Sequence, residues 1–154
     1  MDAFAEQWEQ WPVVARLLLA TVLGAVIGVE REYRGYPAGV RTIALVVAGT
    51  ALFGEVSSLF RGDGGRVAAQ IASGIGFLGA GVILHEGLSV RGITTAATIW
   101  TAAALGLAVA THLYLVAVAA CVLVVVLLEA SPLTKRIADL GERSRAGRAE
   151  DVAD

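Results

Sequence analysis

The chain has 154 residues, of which 56% are apolar and 17% charged, with a formal net charge of −2. A soluble domain carries about 25% charged residues; here the charges leave two uncharged stretches, Val67–Leu84 and Gly92–Leu128. The second has 37 residues, too long for one span and suited to two helices of about 17–20 residues each, which excludes an ordinary soluble fold and identifies an integral membrane protein.

In chain order, residues 1–11 read as an interfacial amphipathic segment. Phe4, Trp8 and Trp11 recur at helical spacing opposite Glu6, Glu9 and Gln10, and the acidic start is not that of a secretory signal peptide. Residues 12–129 then read as a transmembrane domain of five helices, an all-α polytopic bundle. The spans fall at about Pro12–Val29, Thr42–Phe60, Val67–Leu84, Thr94–Ala110 and Leu113–Leu128, with a tight turn at Thr111-His112. Residues 130–154 read as a juxtamembrane helix with Leu133, Ile137 and Leu140 on one face, followed by a disordered cytoplasmic tail. Five spans place Arg31, Arg34, Arg41, Arg91, Lys135, Arg136, Arg143, Arg145 and Arg148 on one side, and Arg16, Arg61 and Arg66 on the other. That asymmetry predicts an outside N-terminus and a cytoplasmic C-terminus.

Gly74-Ile75-Gly76-Phe77-Leu78-Gly79 matches the G-x-G-x-x-G dinucleotide pattern by letters. The pattern binds nucleotides after a strand and with an acidic residue about 20 positions on. Here an apolar helix precedes it, and no Asp or Glu occurs between Gly87 and Leu128. In lipid, glycines at this spacing let helix backbones approach closely. Three small-residue rows follow: Ala20, Gly24 and Gly28 in the first helix; Ala72, Gly76 and Ala80 in the third; Ala102, Gly106 and Ala110 in the fourth. Gly74, Gly79 and Gly81 exceed what one packing row uses and allow a kinked or unwound segment.

Ionisable groups at membrane depth are costly and face a bundle interior or a hydrated path. Arg16, Arg66, Gln70 and Ser73 are such groups, with Glu55 and Asp63 as the nearest outer-side partners for Arg16. Near the cytoplasmic mouth, Glu30 and Arg34 stand at i,i+4 and can form an ion pair. Glu30 and Glu32 also form a weak candidate Mg²⁺ site, since Mg²⁺ takes oxygen ligands and keeps several waters. His85 and His112 fall on opposite sides of the membrane, and no nucleophile set is present, so neither a zinc site nor an enzyme is expected. A shift of 50 residues superimposes Arg16 on Arg66, Gly24 on Gly74 and Val40-Arg41 on Val90-Arg91, with five identities in 39 positions. The pattern is that of two related hairpins plus a fifth helix.

Three blocks, "GAVIGVEREYRGYPAGVRT" (Gly24–Thr42), "RVAAQIASGIGFLGAGVIL" (Arg66–Leu84) and "VRGITTAATIWTAAALGLA" (Val90–Ala108), resemble the MgtC/SapB family of bacterial inner-membrane proteins. The resemblance implies a multi-pass protein of the bacterial cytoplasmic membrane, associated with adaptation to low Mg²⁺. It further implies a short form, since the residues after Glu129 are too few for the soluble C-terminal domain of some members. The family's recurrent polar positions fall on Glu30, Arg31, Glu32, Arg41, Arg66, Gln70 and Thr95.

Two readings follow. In the first, the protein handles ions in Mg²⁺ homeostasis through a polar path from Arg66 and Gln70 to Glu30 and Glu32. In the second, it is a non-transporting regulator that docks on a membrane complex such as ATP synthase or a Mg²⁺ transporter. The lipid bilayer, a second copy or a membrane protein are the expected partners, and nucleic acid is not. No cofactor is expected beyond Mg²⁺ itself.

Overall fold

The computed structural model describes residues 10–59, 64–86 and 89–130. They form five helices: α1 (Trp11–Tyr33), α2 (Val40–Ser58), α3 (Gly64–Gly81), α4 (Ile93–Ala110) and α5 (Tyr114–Glu129). Of the expected interfacial segment only its last two residues are described, and of the expected tail only Ala130, so those two readings lie outside the described residues.

Helices α1, α2 and α4 are each long and apolar enough to cross a membrane, while α5 is a shorter apolar helix of 16 residues. Pro12 sits in the first turn of α1, where its missing N–H costs nothing. Helix α1 continues one turn past the expected end at Val29, because Glu30, Arg31 and Glu32 keep helical geometry and pack against the loop that follows. The α4–α5 turn is tight, with His112 at φ 64°. Between α3 and α4 the chain forms a short antiparallel hairpin that the sequence pattern did not predict. Strand β1 (Leu84–Glu86) pairs with β2 (Ser89–Arg91), Leu84 opposite Arg91. Each strand has only three residues, too few for an alternating pattern to register.

The core is built by four helices. Ala20, Leu23 and Ile27 of α1 meet Ile43, Val47 and Ala51 of α2, Ala102, Leu105 and Val109 of α4, and Ala117 and Cys121 of α5. Small residues make the close approaches. A Cβ added to Gly24 would lie 2.8 Å from the Ala44 Cα, and one on Gly28 would lie 2.5 Å from the Val40 Cα. Gly106 of α4 is tighter still, its notional Cβ 2.0 Å from Thr50 Oγ1 and 2.3 Å from the Val47 carbonyl oxygen. Ala110 completes that row against Gly54. No such spacing would survive a larger side chain, which is how these rows set the α1–α2 and α2–α4 distances.

Helix α3 differs. It packs chiefly on α4, where a Cβ added to Gly79 would lie 3.5 Å from the Ala96 Cβ, and contributes no fully buried apolar side chain to the core. The row Ala72–Gly76–Ala80, expected to pack inside the bundle, turns outward instead: Gly76 and Ala80 are exposed, and a Cβ on Gly76 would meet nothing within 4 Å. Gly74 and Gly81 are equally open. The glycine contact of α3 with α4 goes through Gly79, one turn on from Gly76. The helix is continuous over Gly64–Gly81, so the surplus glycines do not unwind it.

Candidate functional site

The polar groups collect at the two ends of the bundle. At one end, the C-terminal turn of α1 brings three charges together. The Glu30 carboxylate is buried, with Arg34 Nε 2.8 Å from Oε1 and Arg31 Nε 3.7 Å from Oε2. Arg31 is also buried, and its guanidinium carbon lies 3.4 Å from the centroid of the Tyr36 ring. Arg34 reaches across to α5, where Nη2 stands 2.5 Å from Glu129 Oε2. Arg34 donates a hydrogen bond to Glu129, whereas charge rather than aligned hydrogen bonding holds Glu30 and Arg31. Both carboxylate oxygens of Glu30, and Nε and Nη2 of Arg31, are buried without a hydrogen-bond partner among the described residues.

Glu32 has a different task. Its Oε2 accepts a hydrogen bond from the Val40 backbone N–H at 2.9 Å, satisfying a donor in the first turn of α2. Arg41, one residue on, is exposed. The two carboxylates thus have different partners here: Glu30 faces two guanidiniums, and Glu32 accepts the Val40 N–H. Among the described residues no group of three or more His, Cys, Asp or Glu stands close enough to hold a metal ion.

At the other end, Arg16 and Glu55 form a two-pronged ion pair between α1 and α2, with Nε on Oε1 and Nη2 2.9 Å from Oε2. Nearby, a cavity of about 430 Å³ opens sideways between α2 and α3, lined by Thr50, Phe53, Arg66, Gln70, Ile71 and Gly74 among others. Arg66 and Gln70 stand one turn apart on its rim, exposed and without a hydrogen bond or ion pair among the described residues. The Thr50 hydroxyl inside is satisfied by the Val46 and Val47 carbonyl oxygens at 2.9 and 3.1 Å.

The seven polar positions thus divide. Glu30, Arg31, Glu32 and Arg41 lie at the α1–α2 connection, and Thr95, buried in the first turn of α4, lies at the same end. Arg66 and Gln70 sit at the Arg16–Glu55 end. About 14 residues of α1 separate Arg16 from Glu30, or roughly 21 Å at 1.5 Å per residue. Between them α1 buries Ala20, Leu23 and Ile27 in the core. Tyr36 and Glu129 escaped sequence reasoning. The first acts through its ring face and the second only across the fold, although Glu129 is the first charge after 37 uncharged residues.

Fold and site together define a small helical membrane protein with its charges gathered at the two ends of the bundle. The chain belongs to the MgtC family, whose model matches residues 17–137. It is 53% identical over 102 residues to Protein MgtC of Salmonella typhimurium strain LT2, a match covering 66% of this chain and 44% of that protein. It is 57% identical over 89 residues to Protein MgtC of Brucella abortus strain 2308, covering 56% and 37%. An uncharacterized protein of Haemophilus influenzae is 43% identical over 136 residues, covering 80% and 57%. The matches thus cover between 37% and 57% of these relatives' length. No solved structure matches.

Proposed function

We propose that this protein is a multi-pass protein of the bacterial inner membrane that serves Mg²⁺ homeostasis as a non-enzymatic regulator, docking a transmembrane helix of a partner on the open glycines of α3. One observation carries the reading. A Cβ added to Gly74 or Gly81, on one side of α3, or to Gly76, on the opposite side, would meet nothing within 4 Å among the described residues, whereas the glycines of α1 and α4 are packed against neighbours. Lipid gives helices no hydrophobic drive to associate, so an open glycine offers the close backbone approach on which association in a bilayer depends. Beside Gly74, Arg66 and Gln70, which have no partner among the described residues, supply polar contacts that a partner's acidic or amide side chain can complete. The Mg²⁺-conduit reading has less support, because Glu30 faces Arg31 and Arg34 and Glu32 caps α2. The resemblance that gave the Mg²⁺ association makes ATP synthase and a Mg²⁺ transporter the partners to try first, with the N-terminus outside and the C-terminus in the cytoplasm.

The test is co-purification from native membranes in mild detergent. Gly76→Leu places its new side chain in open space within the monomer, so it leaves yield and helix content unchanged while the partner is lost. Gly24→Leu is unsuitable, since it collides with α2. Retention of the partner at wild-type level in both Gly74→Leu and Gly76→Leu rules out docking through either side of α3. Reconstituted liposomes should show no Mg²⁺ flux above empty vesicles; a clear flux restores the conduit reading.

A further inference from the structure

A second cavity, of about 660 Å³, lies at the opposite end of the bundle from the Arg66–Gln70 cleft and plays no part in helix docking. It is formed where the α1–α2 loop, the end of α3 and the start of α4 converge, and Tyr36, Val82, Arg91, Gly92, Thr94 and Thr95 lie on its wall. Gly92 makes the convergence possible: it is the N-cap residue of α4 at φ 91°, and a Cβ there would lie 2.1 Å from the Val82 carbonyl oxygen.

Three features of this cavity concern anions. Helix α4 has 18 residues and no side-chain cap, and its first backbone bond is Ala96 N–H to the Gly92 carbonyl. The N–H groups of Ile93, Thr94 and Thr95 therefore have no partner among the described residues, at the positive end of the helix dipole. Thr95 is a separate observation. Its side chain is almost wholly buried, at 2% exposure, yet it lines the cavity and its hydroxyl makes no hydrogen bond among the described residues. Elsewhere the chain satisfies such hydroxyls by bonding back to the preceding turn, as Thr21, Thr50, Thr98, Thr101 and Thr111 do. Cationic charge is the third feature: Arg91 lines the cavity, and buried Arg31, ion-paired with Glu30 but with no hydrogen bond at Nε or Nη2 among the described residues, stacks on the Tyr36 ring that forms part of the wall.

We propose that this cavity is a binding site for a phosphate-bearing anion. Its phosphoryl oxygens are received by the first-turn N–H groups of α4, the Thr94 and Thr95 hydroxyls and the Arg91 guanidinium. Backbone donors at a helix N-terminus bind phosphate in this way, and the guanidinium fork matches its oxygens. The volume exceeds that of a bare phosphate, and Tyr36 and Val82 offer apolar surface to whatever the phosphate carries. Two sources share this chemistry, a phospholipid headgroup and a free phosphate compound.

The experiment uses the full chain in phosphatidylcholine nanodiscs, titrated with inorganic phosphate at constant ionic strength and followed by Tm. Binding to the folded state alone raises Tm saturably. Thr95→Val should weaken the apparent affinity about tenfold or more, since it removes a donor to a charged ligand, while Thr95→Ser keeps it. Arg91→Gln should weaken it as well. Phosphatidylglycerol in the disc distinguishes the sources: a raised Tm without phosphate, with weaker phosphate binding, identifies a headgroup, and no effect identifies a free phosphate. Absence of a saturable shift from both ligands overturns the site, as does a folded Thr95→Val chain that binds as the wild type does. If Thr95→Val loses helix content, Arg91→Gln decides, and unchanged binding there overturns the proposal.

Discussion

The first and second helical hairpins carry some of the same residues 50 positions apart and use them differently. In α1–α2, Arg16 is locked to Glu55 and Gly24 lies against the α2 backbone. In α3–α4, Arg66 has no partner among the described residues and Gly74 meets only open space. Part of the difference lies in the second helix of each hairpin. At the position of Glu55 the later hairpin has Leu105, which is buried in the core, so Arg66 has no equivalent carboxylate. A spent hairpin builds the bundle, while an unspent one keeps donors and close-approach surface for something outside it.

Predictions that break this contrast start with the ion pair. Arg16→Met leaves the Glu55 carboxylate, 9% exposed, without its partner in the membrane. Removing one member of a buried pair costs about 3–5 kcal/mol, and the 15% exposure of Arg16 favours the low end, about 3 kcal/mol. Arg66→Met at the corresponding position should stay within about 0.5 kcal/mol. Unfolding in a denaturing detergent series measures both, and equal losses would erase the distinction between the hairpins.

Next in size is Gly106→Ala. Its added methyl would sit 2.0 Å from Thr50 Oγ1 and 2.3 Å from the Val47 carbonyl oxygen, so α4 must move off α2. Overpacking of this kind costs about 2 kcal/mol, read as a lower Tm in the same detergent. A smaller effect is expected at Arg34→Gln, tested on its link to Glu129. Glu129 is 57% exposed, and an exposed pair of that kind contributes about 0.2–1 kcal/mol. A double-mutant cycle of Arg34→Gln with Glu129→Gln isolates that link from the contact between Arg34 and Glu30.

Much of this architecture was legible in the sequence. Uncharged runs bounded by charge placed all five helices, because a span must keep its backbone bonds internal and its side chains apolar. Glu55 was legible as a partner for Arg16, since two opposite charges at one depth have few alternatives. The glycine rows were legible as rows but not as faces. Ala102–Gly106–Ala110 and Ala72–Gly76–Ala80 have the same spacing, and only the rotation of each helix decides which one meets a neighbour. Glu30 and Glu32 illustrate the same gap for charge: two carboxylates two residues apart on one helix point to different sides, one toward guanidiniums and the other toward the Val40 N–H. The Leu84–Arg91 hairpin left no periodic trace at all.

The smallest expected effect on stability is the most informative. Gly74→Leu and Gly76→Leu each put a branched side chain on α3 where a Cβ finds nothing within 4 Å. For the isolated chain both should change stability by no more than about 0.5 kcal/mol, with leucine's better helix propensity partly offsetting any local disturbance. A loss near that of Gly106→Ala would mean that α3 packs inward in the membrane, and the two hairpins would then be equally spent. If stability holds while a partner is lost, the close approach belongs to another molecule. Arg66→Met then tests the polar group on the Gly74 side of α3: a partner that supplies an acidic or amide group there loses affinity, whereas one that docks on glycine packing alone does not.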